Sequence, residues 1–249
     1  MKKLFPAVGL CLGMVLASPG HTAVKSVVLV HGAFADGSGW SPVAAILEHD
    51  GYTVFVVQEP ETTFEADVAT TRLVLDRAGP CVLVGHSYGG MVITGAADRA
   101  LSRVGHLVFL DAAHPRDGES LVHTSPALMN EARRQARVID GIELVLWPGD
   151  DACRNYGITD PSDEAWMQDK LTPHPWKCFD QPLRLANEAA VRKIPYTNIN
   201  CTWSLKVRPL ESARRAREGD RVWEIDTGHD LMITEPKAVA EILLRLPSL

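Results

Sequence analysis

Short apolar runs rich in β-branched residues recur along the chain, and segments with helical periodicity separate them. The first is Val24–Val30 (VKSVVLV), and the later run Cys81–Val84 (CVLV) is wholly apolar. Apolar runs of about four to eight residues bounded by turn residues are typical of strands buried on both faces. The pattern predicts six strands, at Val24–Val30, Thr53–Val57, Cys81–Val84, Val104–Leu110, Tyr196–Cys201 and Arg221–Ile225.

Helical segments lie between these strands. Ser41 and Pro42 supply a helix cap and a proline at the first helical position, and Gly51 ends that helix. Further helices are predicted at Thr63–Arg77, Met91–Arg99, Pro209–Glu218 and from about Pro236 to the end. Strands that alternate with helices of about 10–15 residues imply a mostly parallel central sheet flanked by helices on both faces.

The alternation stops between residues 112 and about 195, a segment that we call the insertion. It is rich in proline, acidic residues and tryptophan. Long irregular segments in compact domains are usually lids or binding loops. Its large apolar side chains either cover a hydrophobic substrate site or pack against the sheet core. They are Met129, Trp147, Trp166, Met167, Trp176 and Phe179.

Residues 1–23 have the features of a secretory signal peptide. Two lysines precede the apolar residues 4–16, and the small residues that follow predict cleavage after Ala23. The apolar stretch is shorter than the roughly 20 residues that cross a bilayer as a helix, and an uncleaved membrane anchor is the alternative. We expect one mature domain, 24–249, that is periplasmic or secreted and free of the membrane after cleavage.

Composition narrows the class of protein. Of the 249 residues, 46% are hydrophobic and 22% are charged, with 25 Lys+Arg against 31 Asp+Glu and a formal net charge of −6. So much apolar surface excludes a disordered chain, and the absence of a basic excess argues against a nucleic-acid partner. The sequence leaves the oligomeric state open.

The cysteines do not have the spacing of a metal site. The sequence contains no CxxC pair and no Cys/His cluster of zinc type. Cys81 and Cys201 lie in strand-like runs and are expected to be buried free thiols. Export would permit disulfides, and whether Cys153 and Cys178 are bridged is left open.

One motif predicts covalent chemistry. The segment Gly85-His86-Ser87-Tyr88-Gly89-Gly90 follows a predicted strand and opens a predicted helix. It is the G-x-S-x-G nucleophile elbow in the strand–turn–helix context that this motif requires. The glycines permit a tight turn, and the helix N-terminus directs backbone N–H groups toward developing negative charge. Ser87 is therefore the predicted nucleophile.

A serine hydroxyl needs an adjacent base to act as a nucleophile. His229, in Thr227-Gly228-His229-Asp230, lies between the last strand and the last helix and follows the serine in chain order. It is the predicted base. A surface or packing role is the interpretation for His49, His106, His123 and His174.

The acid that would orient this histidine is less clear. Asp111 directly follows the strand Val104–Leu110, and functional groups gather at the carboxyl ends of strands in such sheets. It also gives the chain order Ser, Asp, His. Asp111 is the predicted acid, while Asp226 and Glu211 remain alternatives.

The oxyanion of an acyl-transfer intermediate needs backbone N–H donors. One is expected from the residue after the nucleophile, Tyr88. The other is expected from the loop after an early strand, where His31-Gly32-Ala33-Phe34 follows the first strand. Ala33 is the predicted second donor.

These motifs resemble the α/β-hydrolase superfamily, and more closely the small esterases grouped with plant methylesterases, hydroxynitrile lyases and bacterial pyrethroid-hydrolase-like carboxylesterases. The matching segments are Val28–Ala33 with Trp40, Gly85–Gly90 and Gly228–Asp230. The resemblance implies a mostly parallel central sheet flanked by helices, with a lid insertion after the sixth strand. It also implies a serine hydrolase without a metal or an organic cofactor.

The chain departs from this group at two places. The group's usual acid follows the strand before the last helix–strand pair, where this chain has Cys201-Thr202-Trp203-Ser204 and no carboxylate. The lyases carry a lysine after the catalytic histidine, where this chain has Asp230.

The expected function is hydrolysis, through an acyl-enzyme, of a carboxylic ester of a small to medium hydrophobic molecule, which is the expected partner. The alternatives are lactone or thioester hydrolysis, hydroxynitrile-lyase-like chemistry, and a binding protein with little or no turnover.

Overall fold

The structure, a computed structural model, describes residues 25–146, 153 and 156–246. The predicted signal peptide and Trp147 lie outside the described residues. The strands are β1 (Ser26–Val30), β2 (Thr53–Val57), β3 (Cys81–His86), β4 (Val104–Leu110), β5 (Ala136–Ile139), β6 (Ile142–Val145), β7 (His174–Pro175), β8 (Tyr196–Cys201) and β9 (Arg221–Ile225).

The helices surround these strands and vary from one to four turns in length. They are α1 (Ser41–His49), α2 (Phe64–Ala78), α3 (Gly89–Arg99), α4 (Leu121–Thr124), α5 (Pro126–Gln135), α6 (Pro161–Gln168), α7 (Trp176–Asp180), α8 (Glu188–Val191), α9 (Thr202–Val207), α10 (Leu210–Arg215), α11 (Leu231–Thr234) and α12 (Pro236–Leu244). Short 3-10 helices occupy Gly37–Trp40 and Leu101–Arg103.

The main sheet has six strands in the order β2-β1-β3-β4-β8-β9, and every neighbouring pair is parallel. The predicted fold class is confirmed, and the six predicted strands are these six. All six residues of β3 are buried, which explains why its sequence shows no polar alternation. Strand β3 also runs two residues beyond its predicted end and so includes Gly85 and His86 of the elbow.

Helices cover both faces of the sheet. On one face, Val43 of α1 and Val239 of α12 belong to one buried cluster with Leu29 of β1. On the other face, Val68 of α2 and Ile93 of α3 join a second cluster. Because the parallel strands are covered on both sides, their carboxyl ends form the open edge where a site can be built.

The insertion connects β4 to β8 and contains structure that its sequence pattern did not predict. It forms a three-stranded antiparallel sheet, β5-β6-β7, together with α4 to α8. Among the described residues, the strand that precedes the insertion is the fourth in chain order rather than the sixth, because β1 to β4 are the strands that the structure describes before residue 112.

The cysteines of the described residues, Cys81, Cys153, Cys178 and Cys201, are all buried free thiols. The free thiols predicted for Cys81 and Cys201 are confirmed, and Cys153 and Cys178 do not form a bridge. No helix in the described part of the chain combines the length and the apolar character needed to cross a membrane.

Candidate active site

Ser87 lies on the tight turn between β3 and α3. Its φ is +54°, a left-handed conformation that side-chain-bearing residues rarely adopt. The turn can close because its glycines have no side chains. A Cβ on Gly85 would lie 2.6 Å from the Gly89 carbonyl oxygen, and a Cβ on Gly90 would lie 2.0 Å from the Ala113 carbonyl oxygen. This close approach places Ser87 at the carboxyl edge of the sheet.

His229 lies on the loop between β9 and α11, and the histidine side chain reaches the serine. His229 Nε2 is 2.9 Å from Ser87 Oγ. The loop is fixed from behind because the His229 backbone N–H donates to the Tyr156 carbonyl at 2.6 Å. A Cβ on Gly228 would lie 2.3 Å from that same oxygen, so this contact requires glycine.

Asp111 completes a hydrogen-bonded chain with these two residues. Its Oδ2 is 2.5 Å from His229 Nδ1, so the imidazole spans the serine and the carboxylate. Asp111 has a φ of +44° and is buried at the end of β4. Neither alternative acid takes this place: Asp226 is exposed and accepts from Thr202 Oγ1 at 2.6 Å, and Glu211 pairs with Arg214 and Arg215.

Three groups from the end of β8 and the segment that follows it donate to Asp111 Oδ1. Ser204 Oγ lies at 2.5 Å, Arg208 Nη2 at 2.7 Å and the Cys201 backbone N–H at 3.3 Å. Arg208 also donates from Nη1 to the Ala112 carbonyl at 3.2 Å. These donors satisfy a buried carboxylate that would otherwise be costly.

The charges in this chain shift the titration of both partners. Burial alone would raise the pKa of Asp111, but the Arg208 guanidinium and the hydrogen bonds from His229 and Ser204 hold it well below the ordinary range of a carboxyl. Burial alone would lower the pKa of His229, but the hydrogen bond and the negative charge of Asp111 leave that pKa raised. The carboxylate thus remains ionised and favours a protonated imidazole.

Ala33 and Tyr88 line the same cavity as Ser87. Among the described residues, neither backbone N–H donates to a protein acceptor. The Tyr88 phenol is bound to a buried side chain, because it donates to Asp67 Oδ2 at 2.7 Å. The two N–H groups are therefore available to a ligand next to Ser87.

A cavity of about 210 Å³ opens over these residues. Of the insertion side chains singled out from the sequence, Met129, Met167 and Phe179 line it. Trp176 is buried elsewhere, under the Arg133 guanidinium at 4.5 Å, and Trp166 is partly exposed. The rest of the wall is largely small or apolar, with Ala112, Ala113, Leu121, Leu128, Trp203 and Val207. The insertion thus supplies both a cavity wall and packing.

The alpha/beta hydrolase family matches residues 27–242, which is most of the chain. This chain belongs to the alpha/beta hydrolase family.

Individual relatives agree with this assignment. A carbendazim hydrolyzing esterase from Nocardioides sp. (strain SG-4G) is 29% identical over 246 residues, covering 90% of this chain and 100% of the relative. An extracellular alpha/beta-hydrolase from a Paenibacillus species, described as sharing structural and functional homology with tobacco salicylic acid binding protein 2, is 20% identical with a TM-score of 0.72, covering 88% of this chain and 98% of that one. A pyrethroid hydrolase from Sphingobium faniae JZ-2 is 21% identical with a TM-score of 0.67, covering 88% and 96%. The resemblance stated from the motifs is confirmed, and the two structures show the shared fold.

Two further residues of this alpha/beta hydrolase lie behind the histidine. His86 Nε2 donates to the His229 carbonyl at 3.0 Å, and Asp230 Oδ1 lies 3.8 Å from the same nitrogen. Burial and the neighbouring His229 lower the pKa of His86 to about 3, and burial raises the pKa of Asp230 to about 6. Asp230 is thus buried at the place where the resemblance to hydroxynitrile lyases would require a lysine.

Sequence reasoning missed Ser204 and Arg208 as partners of Asp111. Arg208 is the residue directly after α9 and lies four positions after Ser204, so the two side chains meet on one face of its last turn, where Arg208 Nε donates to Ser204 Oγ at 3.2 Å. Nothing in the sequence ties that face to Asp111, because the link depends on β4 and β8 being neighbours in the sheet.

One group of described side chains has metal-like spacing. One ligand atom from each of His31, Glu59 and Glu61 lies within 4.8 Å of the others. However, His31 Nε2 accepts from the Glu59 backbone N–H at 3.1 Å, so Nδ1 carries the proton and faces the Gly32 carbonyl at 2.9 Å. Both ring nitrogens are therefore engaged, and the arrangement does not suit a metal ion.

Proposed function

We propose that this alpha/beta hydrolase is a serine esterase that cleaves a neutral, hydrophobic carboxylic ester through an acyl-enzyme. One observation carries the proposal: Ser87, His229 and Asp111 form a continuous hydrogen-bonded chain, with Ser87 Oγ 2.9 Å from His229 Nε2 and His229 Nδ1 2.5 Å from Asp111 Oδ2. Such a chain is what activates a serine hydroxyl at neutral pH.

In the proposed reaction, Ser87 Oγ attacks the ester carbonyl while its proton passes to His229 Nε2. The Ala33 and Tyr88 N–H groups stabilise the oxyanion of the tetrahedral intermediate. The intermediate collapses to an acyl-serine as His229 returns the proton to the leaving alcohol. Water, activated by the same imidazole, then attacks the acyl-serine and releases the carboxylic acid. Asp111 remains ionised and stabilises the imidazolium in both halves.

The lining of the cavity supports a neutral substrate. Its charged residues, Asp111, Arg208, His229 and Asp230, already contact one another or His86. The remaining wall is mostly apolar, which favours an uncharged hydrophobic acyl or alcohol group. The names of the carbendazim hydrolyzing esterase and of the pyrethroid hydrolase are consistent with this class of substrate.

The expected alternatives lose part of their basis. The binding protein with little turnover rested on the missing acid after β8, and Asp111 lies in hydrogen-bonding contact with His229. Lyase chemistry would require a cation next to His229, where Asp230 lies instead. Lactone and thioester hydrolysis use the same reaction steps, and a panel of both substrate types beside simple esters separates them.

We also propose that the protein is exported. The support is the two lysines followed by the apolar residues 4–16 and the small residues before Ala23. N-terminal sequencing of protein recovered from the periplasm or medium of an expressing bacterium should begin at residue 24. Recovery of uncleaved protein in the membrane fraction would contradict this.

The catalytic proposal is tested with p-nitrophenyl esters of increasing acyl length and with a fluorophosphonate probe. Wild-type protein should turn over the esters and be labelled at Ser87, and Ser87→Ala should do neither. Ser125→Ala is the matched control, because Ser125 lines the same cavity but lies outside the hydrogen-bonded chain. Folded wild-type protein that is neither active nor labelled would disprove the proposal.

A further inference from the structure

The loop that carries Ala33 is hydrogen-bonded to the insertion through the next residue, Phe34. The Thr172 backbone N–H donates to the Phe34 carbonyl at 2.9 Å. The Phe34 backbone N–H in turn donates to the His174 side chain at Nδ1, 3.3 Å away. Both polar groups of the Phe34 backbone are thus bound by a segment about 140 residues further along the chain.

Phe34 needs this support because its backbone is strained. Its φ is +67°, in the left-handed region that favours glycine. Such conformations are unfavourable and persist only where surrounding contacts fix them. The peptide group that joins Ala33 to Phe34 is therefore set by His174, and the direction of the neighbouring Ala33 N–H follows from it.

His174 also contacts the other half of the proposed oxyanion hole. Its ring is fully buried and stacks on Phe179, with centroids 4.6 Å apart and planes 13° apart. The Tyr88 ring makes an edge contact with the same imidazole, with ring centroids 5.4 Å apart. The Phe34 ring is tilted against it, with centroids 5.5 Å apart. The His174 side chain thus contacts Tyr88, which is one proposed oxyanion donor, and Phe34, which directly follows the other donor, Ala33.

Hydrogen bonds to Asp67 hold Tyr88 in addition to its contact with His174. The Tyr88 phenol donates to Asp67, and Asp67 Oδ1 accepts from the Glu61 backbone N–H at 2.9 Å. The Tyr88 half of the oxyanion hole is therefore anchored from a second side, through Asp67 to the Glu61 backbone.

Burying this imidazole leaves one of its nitrogens without a hydrogen bond to the described part of the chain, which is unfavourable. Because Nδ1 accepts from the Phe34 N–H, the proton of a neutral ring is on Nε2. That nitrogen is buried and has no hydrogen-bond partner among the described residues. An unsatisfied buried donor is destabilising, and an apolar side chain would avoid that cost.

We propose that His174 is a positioning residue that sets the geometry of the oxyanion hole through Phe34 and Tyr88. The inference rests on the proposed esterase function. It gives the insertion a second role: besides lining the cavity, it fixes the N–H groups that stabilise the transition state.

Three substitutions test this role. His174→Ala removes the acceptor, His174→Asn retains an oxygen near the position of Nδ1, and His174→Gln carries its oxygen near the position of Nε2. Losing one oxyanion donor costs about 10²–10³-fold in kcat, so a misdirected donor should cost about 10–100-fold in His174→Ala with KM within about threefold of wild type. Asn should restore most of kcat, and Gln should not.

A transition-state analogue separates positioning from general packing. The inhibition constant of a trifluoromethyl ketone, which forms a tetrahedral adduct with serine, should rise by the same factor by which kcat/KM falls. Equal recovery by Asn and Gln, or kcat of His174→Ala within about twofold of wild type, would overturn the inference alone. A wild-type protein inert toward all esters would overturn the proposed function and this inference with it.

Discussion

The carboxylate of Asp111, at the end of β4, accepts a hydrogen bond from the backbone N–H of Cys201, at the end of the neighbouring strand β8, at 3.3 Å. The side chain thus leans across to the place where the related esterases usually carry their acid. Because β4 and β8 are adjacent and parallel, an acid from either strand end can reach the same imidazole. The chain has no carboxylate directly after β8, and Asp111 Oδ2 occupies the position next to His229 Nδ1 instead.

Asp111→Asn should therefore cut turnover about 10²–10⁴-fold while the protein stays folded. Asparagine removes the charge that stabilises the imidazolium and offers an N–H where a hydrogen-bond acceptor is needed. The measurement is kcat/KM on a p-nitrophenyl ester, with circular dichroism to verify the fold. Asp226→Asn is the control, because Asp226 is exposed and bonded to Thr202, and it should change turnover less than about twofold. Near-wild-type activity of Asp111→Asn would remove Asp111 from the mechanism.

Arg208 and Asp111 should move the acidic limb of the pH profile in opposite directions. His229 must be neutral to act as a base, so kcat/KM rises with pH through its pKa, which lies above the ordinary value of 6.5. Removing the negative charge in Asp111→Asn lowers that pKa and shifts the limb to lower pH. Removing the positive charge in Arg208→Met raises the pKa and shifts the limb to higher pH.

Arg208→Lys is the matched control for the charge. It retains the cation while losing the guanidinium's geometry, so its acidic limb should stay near that of the wild-type enzyme. Profiles recorded from pH 5 to 9 would decide the matter. Shifts in the same direction for Asp111→Asn and Arg208→Met would contradict this electrostatic account.

The fold could be predicted from the sequence largely because the sheet is parallel and buried on both faces. Strands such as β1 and β3 are continuous apolar runs bounded by turn residues, and that signal is local. The strands of the insertion were harder to predict, because β5 and β6 have four residues each and no clear alternation of exposed and buried positions. A signal was nevertheless available: Asp140-Gly141 has φ values of +50° and +81°, as expected for the two-residue turn of a hairpin.

The residues of the site also differ in whether a local sequence signal marks them. Ser87 and His229 are marked by local motifs, and Asp111 is marked by its position after a strand. His174, Ser204 and Arg208 carry no such mark, because each acts on a residue about 90 to 140 positions away in the chain. Their roles depend on how the insertion and the region after β8 pack on the sheet, which periodicity does not encode.

Gly90→Ala should damage both folding and catalysis. A Cβ at this position would lie 2.0 Å from the Ala113 carbonyl oxygen and 2.8 Å from the Ala112 Cβ, so either α3 or the segment after Asp111 must move. Overpacking of this kind costs about 1–3 kcal/mol or more. Gly39→Ala is the control, since its Cβ would make only ordinary contacts, with Met232 Cε at 3.7 Å and Ile233 Cδ1 at 4.0 Å. Thermal melts should show a drop for Gly90→Ala and little change for Gly39→Ala; equal melts would contradict the packing argument.

Asp230→Asn should stabilise the protein at pH 8 but not at pH 4. Burial raises the folded-state pKa of Asp230 to about 6, against an ordinary value of 3.8, so the folded protein holds a proton that the unfolded chain releases between these values. The stability that this proton contributes is present below about pH 4 and is lost as the pH rises through 6. Asparagine avoids burying the charge, which is worth up to about 3 kcal/mol at pH 8, since each pKa unit is about 1.4 kcal/mol. Urea unfolding at both pH values measures the difference, and a variant less stable than wild type at pH 8 would show that the Asp230 carboxylate has a stabilising partner.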